Sequence, residues 1–213
     1  MRTDDLVAML ATGAVAVEPH AAARRYATAI GGGALIAAFL MASLLGVRPD
    51  LAAAVRLPMF WVKIAFVACL TAVSLIAALR LSRPGQRLDR VPGALAAPVL
   101  ALWILAAVTL AGADPGARAI LFFGDTWTSC PFLVAMLSAP VFVGVLWAMK
   151  GLAPTRLSLS GAAAGLLSGA VGALVYSLHC PELAAPFLGF WYLLGMLIPT
   201  AAGALLGPRL LRW

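Results

Sequence analysis

Apolar residues occur in six long runs along this chain, and short polar or charged stretches separate them. The runs cover residues 27–45, 57–79, 94–113, 131–148, 157–178 and 186–206. Each run is close to the roughly 20 apolar residues that a helix needs to cross the hydrocarbon core of a bilayer. The pattern therefore predicts an all-α, polytopic membrane protein in which residues 26–213 form a six-helix transmembrane bundle.

Composition agrees with a membrane protein and removes one other class. Of the 213 residues, 63% are hydrophobic and 11% are charged, whereas soluble domains carry about 25% charged residues. The formal net charge is +7, which raises the question of nucleic-acid binding. The basic residues flank the apolar runs instead of clustering on one face, as a nucleic-acid binder requires. We therefore expect the lipid bilayer as a partner and no direct binding of nucleic acid.

The lysines and arginines are unevenly shared between the two sides of the predicted bundle. Eleven of the 15 flank one side, three flank the other, and Lys63 lies within the second helix. The positive-inside rule places the richer side, with both termini, in the cytoplasm. The outer loops are then 46–56, 114–130 and 179–185. Lys63 lies about 9 Å below the outer helix end, and we expect its long side chain to snorkel outward.

Three glycines follow each other at intervals of four in the fifth predicted helix. They are Gly161, Gly165 and Gly169, and this spacing places them on one helix face. Glycines on one face allow a second helix to approach closely. The pattern favours packing within the bundle over a contact between two copies of the chain.

Residues 1–25 are too polar to enter the bilayer, and we predict a short amphipathic cytoplasmic helix within them. Thr3 is a suitable N-cap, and two acidic residues follow in the first turn, where the helix dipole favours negative charge. The apolar residues of one face are Leu6, Val7, Leu10 and Ala14. Gly13 and Pro19 bound roughly 10 residues, too few for a stable isolated helix. The helix therefore either packs on the bilayer or its own bundle, or docks into a groove on a soluble partner.

Two cysteines map to the same outer side of the bundle. Cys130 opens the fourth predicted helix and Cys180 follows the fifth, whereas Cys69 lies deep in the second. Three interpretations stay open for the pair. It could form a structural disulfide, act as a reversible thiol switch, or bind a soft metal ion with the adjacent His179 as a third ligand.

No arrangement of residues typical of an enzyme is present. The eight acidic residues are scattered over loops and the N-terminal segment, and His20 lies on the cytoplasmic side, away from His179. There is no Cys-x-x-Cys, His-Glu-x-x-His or glycine-rich phosphate loop. We predict that the chain is not an enzyme and requires no cofactor. A membrane thiol oxidoreductase and a small-solute or metal transporter are the alternatives.

Several segments resemble those of a known family of membrane regulators. They are residues 2–7 (RTDDLV), 127–130 (WTSC), 178–182 (LHCPE), 191–192 (WY) and 203–213 (GALLGPRLLRW). Their order, together with the six-helix layout, resembles the NrsF family, negative regulators of the extracytoplasmic-function sigma factor sigma-F. The resemblance covers essentially the whole chain.

This resemblance implies an anti-sigma factor of the bacterial inner membrane. It implies that the chain holds a sigma factor and releases it under heavy-metal or oxidative stress. The paired outer cysteines of the family match Cys130 and Cys180, and we add His179 because it is adjacent. The family's cytoplasmic N-terminus is the expected sigma contact, together with the cytoplasmic loops. The matching residues are Asp4, Asp5, Leu6, Val7 and Leu10.

Overall fold

The computed structural model describes residues 3–12 and 21–212, and this part of the chain is helical without any strand. A short helix, α1, comes first, and six helices long and apolar enough to cross a membrane follow it. The helices are α1 (Thr3–Thr12), α2 (Ala21–Leu40), α3 (Leu51–Ala54), α4 (Pro58–Leu81), α5 (Val91–Gly112), α6 (Pro115–Phe123), α7 (Cys130–Lys150), α8 (Leu157–Tyr176), α9 (Ala185–Phe187) and α10 (Leu193–Leu210). Two π-helical turns, Met41–Leu45 and Leu188–Tyr192, extend α2 and connect α9 to α10.

The predicted fold class is confirmed, and each of the six predicted runs corresponds to one membrane-spanning helix. Two of the features that were not predicted lie in the N-terminal segment and in an outer loop. The helix α2 begins at Ala21 and so includes part of the predicted N-terminal segment. The outer loop 114–130 contains the helix α6, which Pro115 starts and Gly124 ends with a positive φ of 55°. The positions of Arg2, Gly13, Ala14, Pro19, His20 and Trp213 lie outside the described residues.

The helix α8 occupies the centre of the bundle and packs against α4, α7 and α10. Its small side chains make this possible, because a helix surface of glycine, alanine and serine lets three neighbours approach at once. Most of α8 is buried, whereas α5 lies at the periphery and has only three buried side chains. In a membrane the exposed apolar side chains of α5 face the lipid tails.

The glycine face of α8 is occupied by α10 of the same chain. A Cβ atom at Gly165 would overlap the carbonyl oxygen of Pro199, and one at Gly161 would overlap the carbonyl of Gly203. A Cβ at Gly169 would lie 2.9 Å from the Cα of Met196. The prediction of close packing within the bundle is therefore confirmed.

The two ends of the bundle differ in composition. We call the end formed by residues 46–57, 113–129 and 177–184 the cysteine end, because Cys130 and Cys180 adjoin it. We call the opposite end, formed by residues 82–90 and 151–156 with the start of α2 and the end of α10, the arginine-rich end. Contacts such as Arg25 Nη1 to the Gly151 carbonyl (3.3 Å) bring its segments together.

Candidate functional site: a buried cysteine pair

Local structure directs both cysteines toward the interior. Cys130 is the first residue of α7, and its N–H donates to the Thr126 carbonyl at 2.9 Å. Cys180 lies just beyond α8, and its N–H donates to the Tyr176 carbonyl at 3.0 Å. Both side chains are fully buried in the same apolar cluster, and both are free thiols. The sequence placed the cysteines at the same end, and the structure brings the two thiols side by side.

Two tyrosines surround the thiol pair. Tyr176 from the end of α8 and Tyr192 from the second π-helical turn are buried, with ring centroids 5.8 Å apart. The Tyr176 hydroxyl lies next to both thiols. The Tyr192 hydroxyl lies beside Cys180 but reaches full hydrogen-bond geometry with none of the described residues. The two phenol rings therefore line the enclosed site that the thiol pair occupies.

The surroundings favour the thiolate form of Cys180. A hydrogen bond from the Cys130 thiol, opposed by burial and aided by the charge of Lys63, lowers the pKa of the Cys180 thiol below its ordinary value. The thiolate is the form that attacks disulfides and binds soft metals.

Lys63 contacts residues 177–184, which we call the cysteine segment, and does not snorkel outward, so that expectation is wrong. Its side chain is fully buried. The ammonium group donates to the carbonyl of Cys180 at 2.9 Å and to that of Glu182 at 3.1 Å. It also lies 4.9 Å from the centre of the Tyr192 ring, within the range of a cation–π contact. Three partners inside the protein replace the water that a snorkelling lysine would reach.

Arg48 approaches the same carbonyl from the loop after α2. Its Nη1 donates to the Cys180 carbonyl at 3.2 Å, and its backbone N–H donates to the Leu178 carbonyl at 3.1 Å. The guanidinium also forms a two-pronged pair with Asp50, with both contacts at 2.7 Å. Fork-shaped pairs of this kind hold an arginine in one orientation. Two cations therefore converge on the backbone of Cys180.

His179 is adjacent to the pair in sequence, but its imidazole is directed elsewhere. Its Nδ1 lies 2.8 Å from the Gly46 carbonyl, and its ring lies 5.6 Å from that of Tyr176. Across residues 3–12 and 21–212, no group of three His, Cys, Asp or Glu side chains is placed to hold a metal ion. In this conformation the site offers a soft metal the two thiols, and the predicted third ligand is not grouped with them.

Glu182 joins the cysteine segment to the loop before α7. Its Oε1 accepts a hydrogen bond from the Asp125 N–H at 2.8 Å. The carboxylate fills the space beside Gly124, where a Cβ atom would lie 2.6 Å from it. The aromatic rings of Trp127 and Trp191 are in contact nearby, with centroids 5.1 Å apart. The loop before α7 and the segment after α8 thus meet around the cysteines.

The predicted sigma-contact residues form a separate region on α1. Asp4 and Asp5 lie in its first turn, and none of its side chains is buried. Leu6, Val7 and Leu10 are all exposed, Leu10 to 68%. The helix therefore presents apolar side chains that the described part of the chain does not bury.

Sequence reasoning missed three residues of the cysteine site: Arg48, Glu182 and Tyr176. Arg48 was counted only as a loop charge. Glu182 appeared only within the segment 178–182 that carries the family resemblance, and Tyr176 belonged to an apolar run. One signal was available for Arg48, since it and Lys63 are two of only four basic residues that map to the sparsely charged side. Their convergence on one carbonyl needed the tertiary structure.

Comparison with known proteins connects this architecture to a family. The family model for NrsF, described as "Negative regulator of sigma F", matches residues 10–213. The "Probable anti-sigma-F factor NrsF" of Azospira oryzae is 64% identical over 213 residues, which cover all of both chains. The "Anti-sigma-F factor NrsF" of Caulobacter vibrioides is 40% identical over 215 residues, again covering both chains fully.

No solved structure matches the chain. The family match extends over all six membrane-spanning helices and both cysteines. The chain belongs to the NrsF family of negative regulators of sigma F.

Proposed function

We propose that this chain is an anti-sigma factor of a bacterial inner membrane, with both termini in the cytoplasm. It holds an extracytoplasmic-function sigma factor and releases it when Cys130 and Cys180 react with heavy metals or oxidants. The family supports the anti-sigma role. The observation that carries the sensory role is the pair of buried free thiols at one end of the bundle.

The proposed orientation follows from the charges at the two ends. The arginine-rich end contains Arg80, Arg83, Arg87 and Arg90 around one loop, and Lys150 and Arg156 around another. Such an excess is typical of the cytoplasmic side. The cysteine end then faces the periplasm, where oxidants and metal ions arrive before they reach the cytoplasm.

The sigma contact is assigned to α1 and the cytoplasmic loops. Exposed Leu6, Val7 and Leu10 provide an apolar helix face, and Asp4 and Asp5 provide negative charge at its start. A short amphipathic helix with these properties is suited to a groove on a partner protein. The acidic first turn favours a basic rim on that groove.

The helix α8 is the route by which a change at Cys180 can reach the other end. It begins at the arginine-rich end, where the Ser160 hydroxyl is 3.4 Å from the Leu81 carbonyl, and ends four residues before Cys180. A ligand shifts a conformational equilibrium only by its differential affinity for the two states. A tenfold release of sigma requires about 1.4 kcal/mol of such coupling.

The role is regulatory and not catalytic. A thiol oxidoreductase must present a cysteine to a partner thiol, whereas both cysteines here are fully enclosed. Reaction with a small oxidant or a metal ion needs only transient opening of the site. No cofactor is required, and a soft metal acts as the stimulus by bridging the two thiolates.

The test is co-purification of the full-length chain with its sigma factor, with and without a soft metal ion or an oxidant. Wild type should retain the sigma factor when unstressed and lose at least nine-tenths of it when stressed. Cys130→Ser and Cys180→Ser should retain it under both conditions. Cys69→Ser is the matched control, because Cys69 lies on an exposed face of α4, and it should behave as wild type. Normal release by both serine variants would refute the sensory role.

A further inference from the structure

The cysteine segment 177–184 lacks the hydrogen bonds of a regular element. Beyond the last turn at Cys180, the chain runs without helix until Ala185. Pro181 restricts the backbone of Cys180 to extended conformations but does not fix where the segment lies. The carbonyls of Leu178, Cys180 and Glu182 must therefore find partners outside the segment.

Two cations from distant parts of the chain provide those partners. The Lys63 ammonium group of α4 donates to the carbonyls of Cys180 and Glu182, and the Arg48 guanidinium donates to that of Cys180. The Leu178 carbonyl accepts from the backbone N–H of Arg48. The Cys180 oxygen thus accepts two charge-assisted hydrogen bonds, which are stronger than neutral ones. We call Lys63 and Arg48 together the cation clamp.

The setting of Lys63 is unusual for a lysine in a membrane helix. It is fully buried, and within the described residues it forms no ion pair with a carboxylate. Desolvating an ammonium group is costly, so burying an apolar side chain at this position would cost less free energy. An ionisable residue inside a membrane protein is by default a candidate for a functional role, and the contacts here point to the backbone of Cys180.

We propose that the cation clamp is a positioning device for the thiol pair: Lys63 and Arg48 hold the backbone of Cys180 so that its side chain stays against Cys130. The proposal rests on the proposed function for its purpose, since a sensor needs its two thiols kept together. It adds two residues from outside the cysteine segment to the site. Neither residue reacts; both act through the position of Cys180.

Position can be measured as the effective molarity of one thiol toward the other. With oxidised glutathione, one cysteine thiolate attacks the disulfide and releases one glutathione thiol. The second cysteine then displaces the remaining glutathione, so two electrons pass to glutathione and one protein disulfide forms. At equilibrium, the ratio of the closed disulfide to the mixed disulfide, multiplied by the concentration of reduced glutathione, gives the effective molarity. Well-oriented groups reach high values, and loss of orientation lowers them.

The experiment uses the full-length chain with Cys69→Ser, reconstituted in lipid nanodiscs and equilibrated with a glutathione buffer. We expect Lys63→Met to lower the effective molarity at least tenfold, because methionine keeps the length and removes the donors. Arg48→Gln should lower it about threefold, since Lys63 still holds the carbonyl. Lys150→Met, at the arginine-rich end, is the matched control and should leave it unchanged.

A second control separates positioning from general loosening of the fold. Gly144→Ala crowds the Ala29 carbonyl (3.0 Å from the new Cβ), far from the cysteines, and should lower the melting temperature without lowering the effective molarity. If Lys63→Met does not fold, Arg48→Gln carries the test. The proposal is overturned if the clamp variants that fold have the same effective molarity as wild type. It is also overturned if Gly144→Ala lowers the effective molarity as much as they do. Failure of wild type to release sigma after the disulfide closes would refute the proposed function alone.

Discussion

The two ends of the bundle treat their cations in opposite ways. At the cysteine end the Arg48 side chain is 5% exposed and contacts Asp50 at 2.7 Å. At the arginine-rich end the Arg87 side chain is 87% exposed and lies 3.9 Å from Asp89. The first pair is fixed by short, directed hydrogen bonds, whereas the second is a loose surface pair of little energetic value.

The difference indicates separate roles for the buried and the exposed cations. At the cysteine end, Arg48 and Lys63 bind backbone carbonyls inside the protein, so they shape one segment. Arg87 at the arginine-rich end is exposed, and the excess of arginines at this end is the basis for the proposed orientation. Net charge alone does not distinguish these uses; burial and partner geometry do.

The largest loss of stability is expected from a substitution that pushes α8 away from α10, because this helix contact runs between the two ends of the bundle. Gly165→Ala places a Cβ atom on the Pro199 carbonyl and should destabilise the fold by about 3 kcal/mol. Thermal unfolding in detergent, followed by circular dichroism, measures the loss. Gly31→Ala is the matched control, since no atom lies within 4 Å of its new Cβ. An unchanged melting temperature in Gly165→Ala would contradict the packing described for α8.

A smaller effect is expected from disturbing the cysteine end alone. Gly124 has a φ of 55°, and a Cβ there would displace the Glu182 carboxylate from Asp125. Gly124→Ala should cost about 1–2 kcal/mol through strain and the lost hydrogen bond. The melting temperature reports the cost, and Gly116→Ala, which meets no atom within 4 Å, should cause no decrease. Equal melting temperatures for the two variants would show that Glu182 does not stabilise this end.

The smallest effect on stability is expected at α1, where binding should change instead. Leu10→Ala should alter the free energy of unfolding by less than about 0.5 kcal/mol, because the side chain is exposed. It should nevertheless weaken sigma binding about tenfold, and Asp4→Ala with Asp5→Ala should release sigma without stress. Thr12→Ala, on the face opposite Leu10, is the control for the Leu10 variant. Pull-down of the sigma factor measures the affinity of each variant. Unchanged binding in the Leu10 and Asp variants would show that α1 is not part of the interface.

The apolar runs were sufficient to predict the six spanning helices and the shared end of the two cysteines. The spacing of the glycines by four was likewise sufficient to predict the glycine face of α8, because residues four apart lie on one side of a helix. The apolar runs did not predict α6, since its nine residues are too short to stand out as a membrane run. The interpretation of Lys63 was wrong for a related reason: depth along a helix says nothing about which neighbour faces it.

The sequence by itself determined the class of the protein, its spans and the end of the bundle to which each loop charge belongs. Those properties depend on local composition and on the thickness of the bilayer. Only the tertiary structure decided that Cys130 meets Cys180, and that Arg48 and Lys63 converge on one carbonyl. These contacts join residues separated by 50 to 132 positions. The packing of α8 between α4, α7 and α10 brings them together, and no periodicity along a single helix specifies that packing.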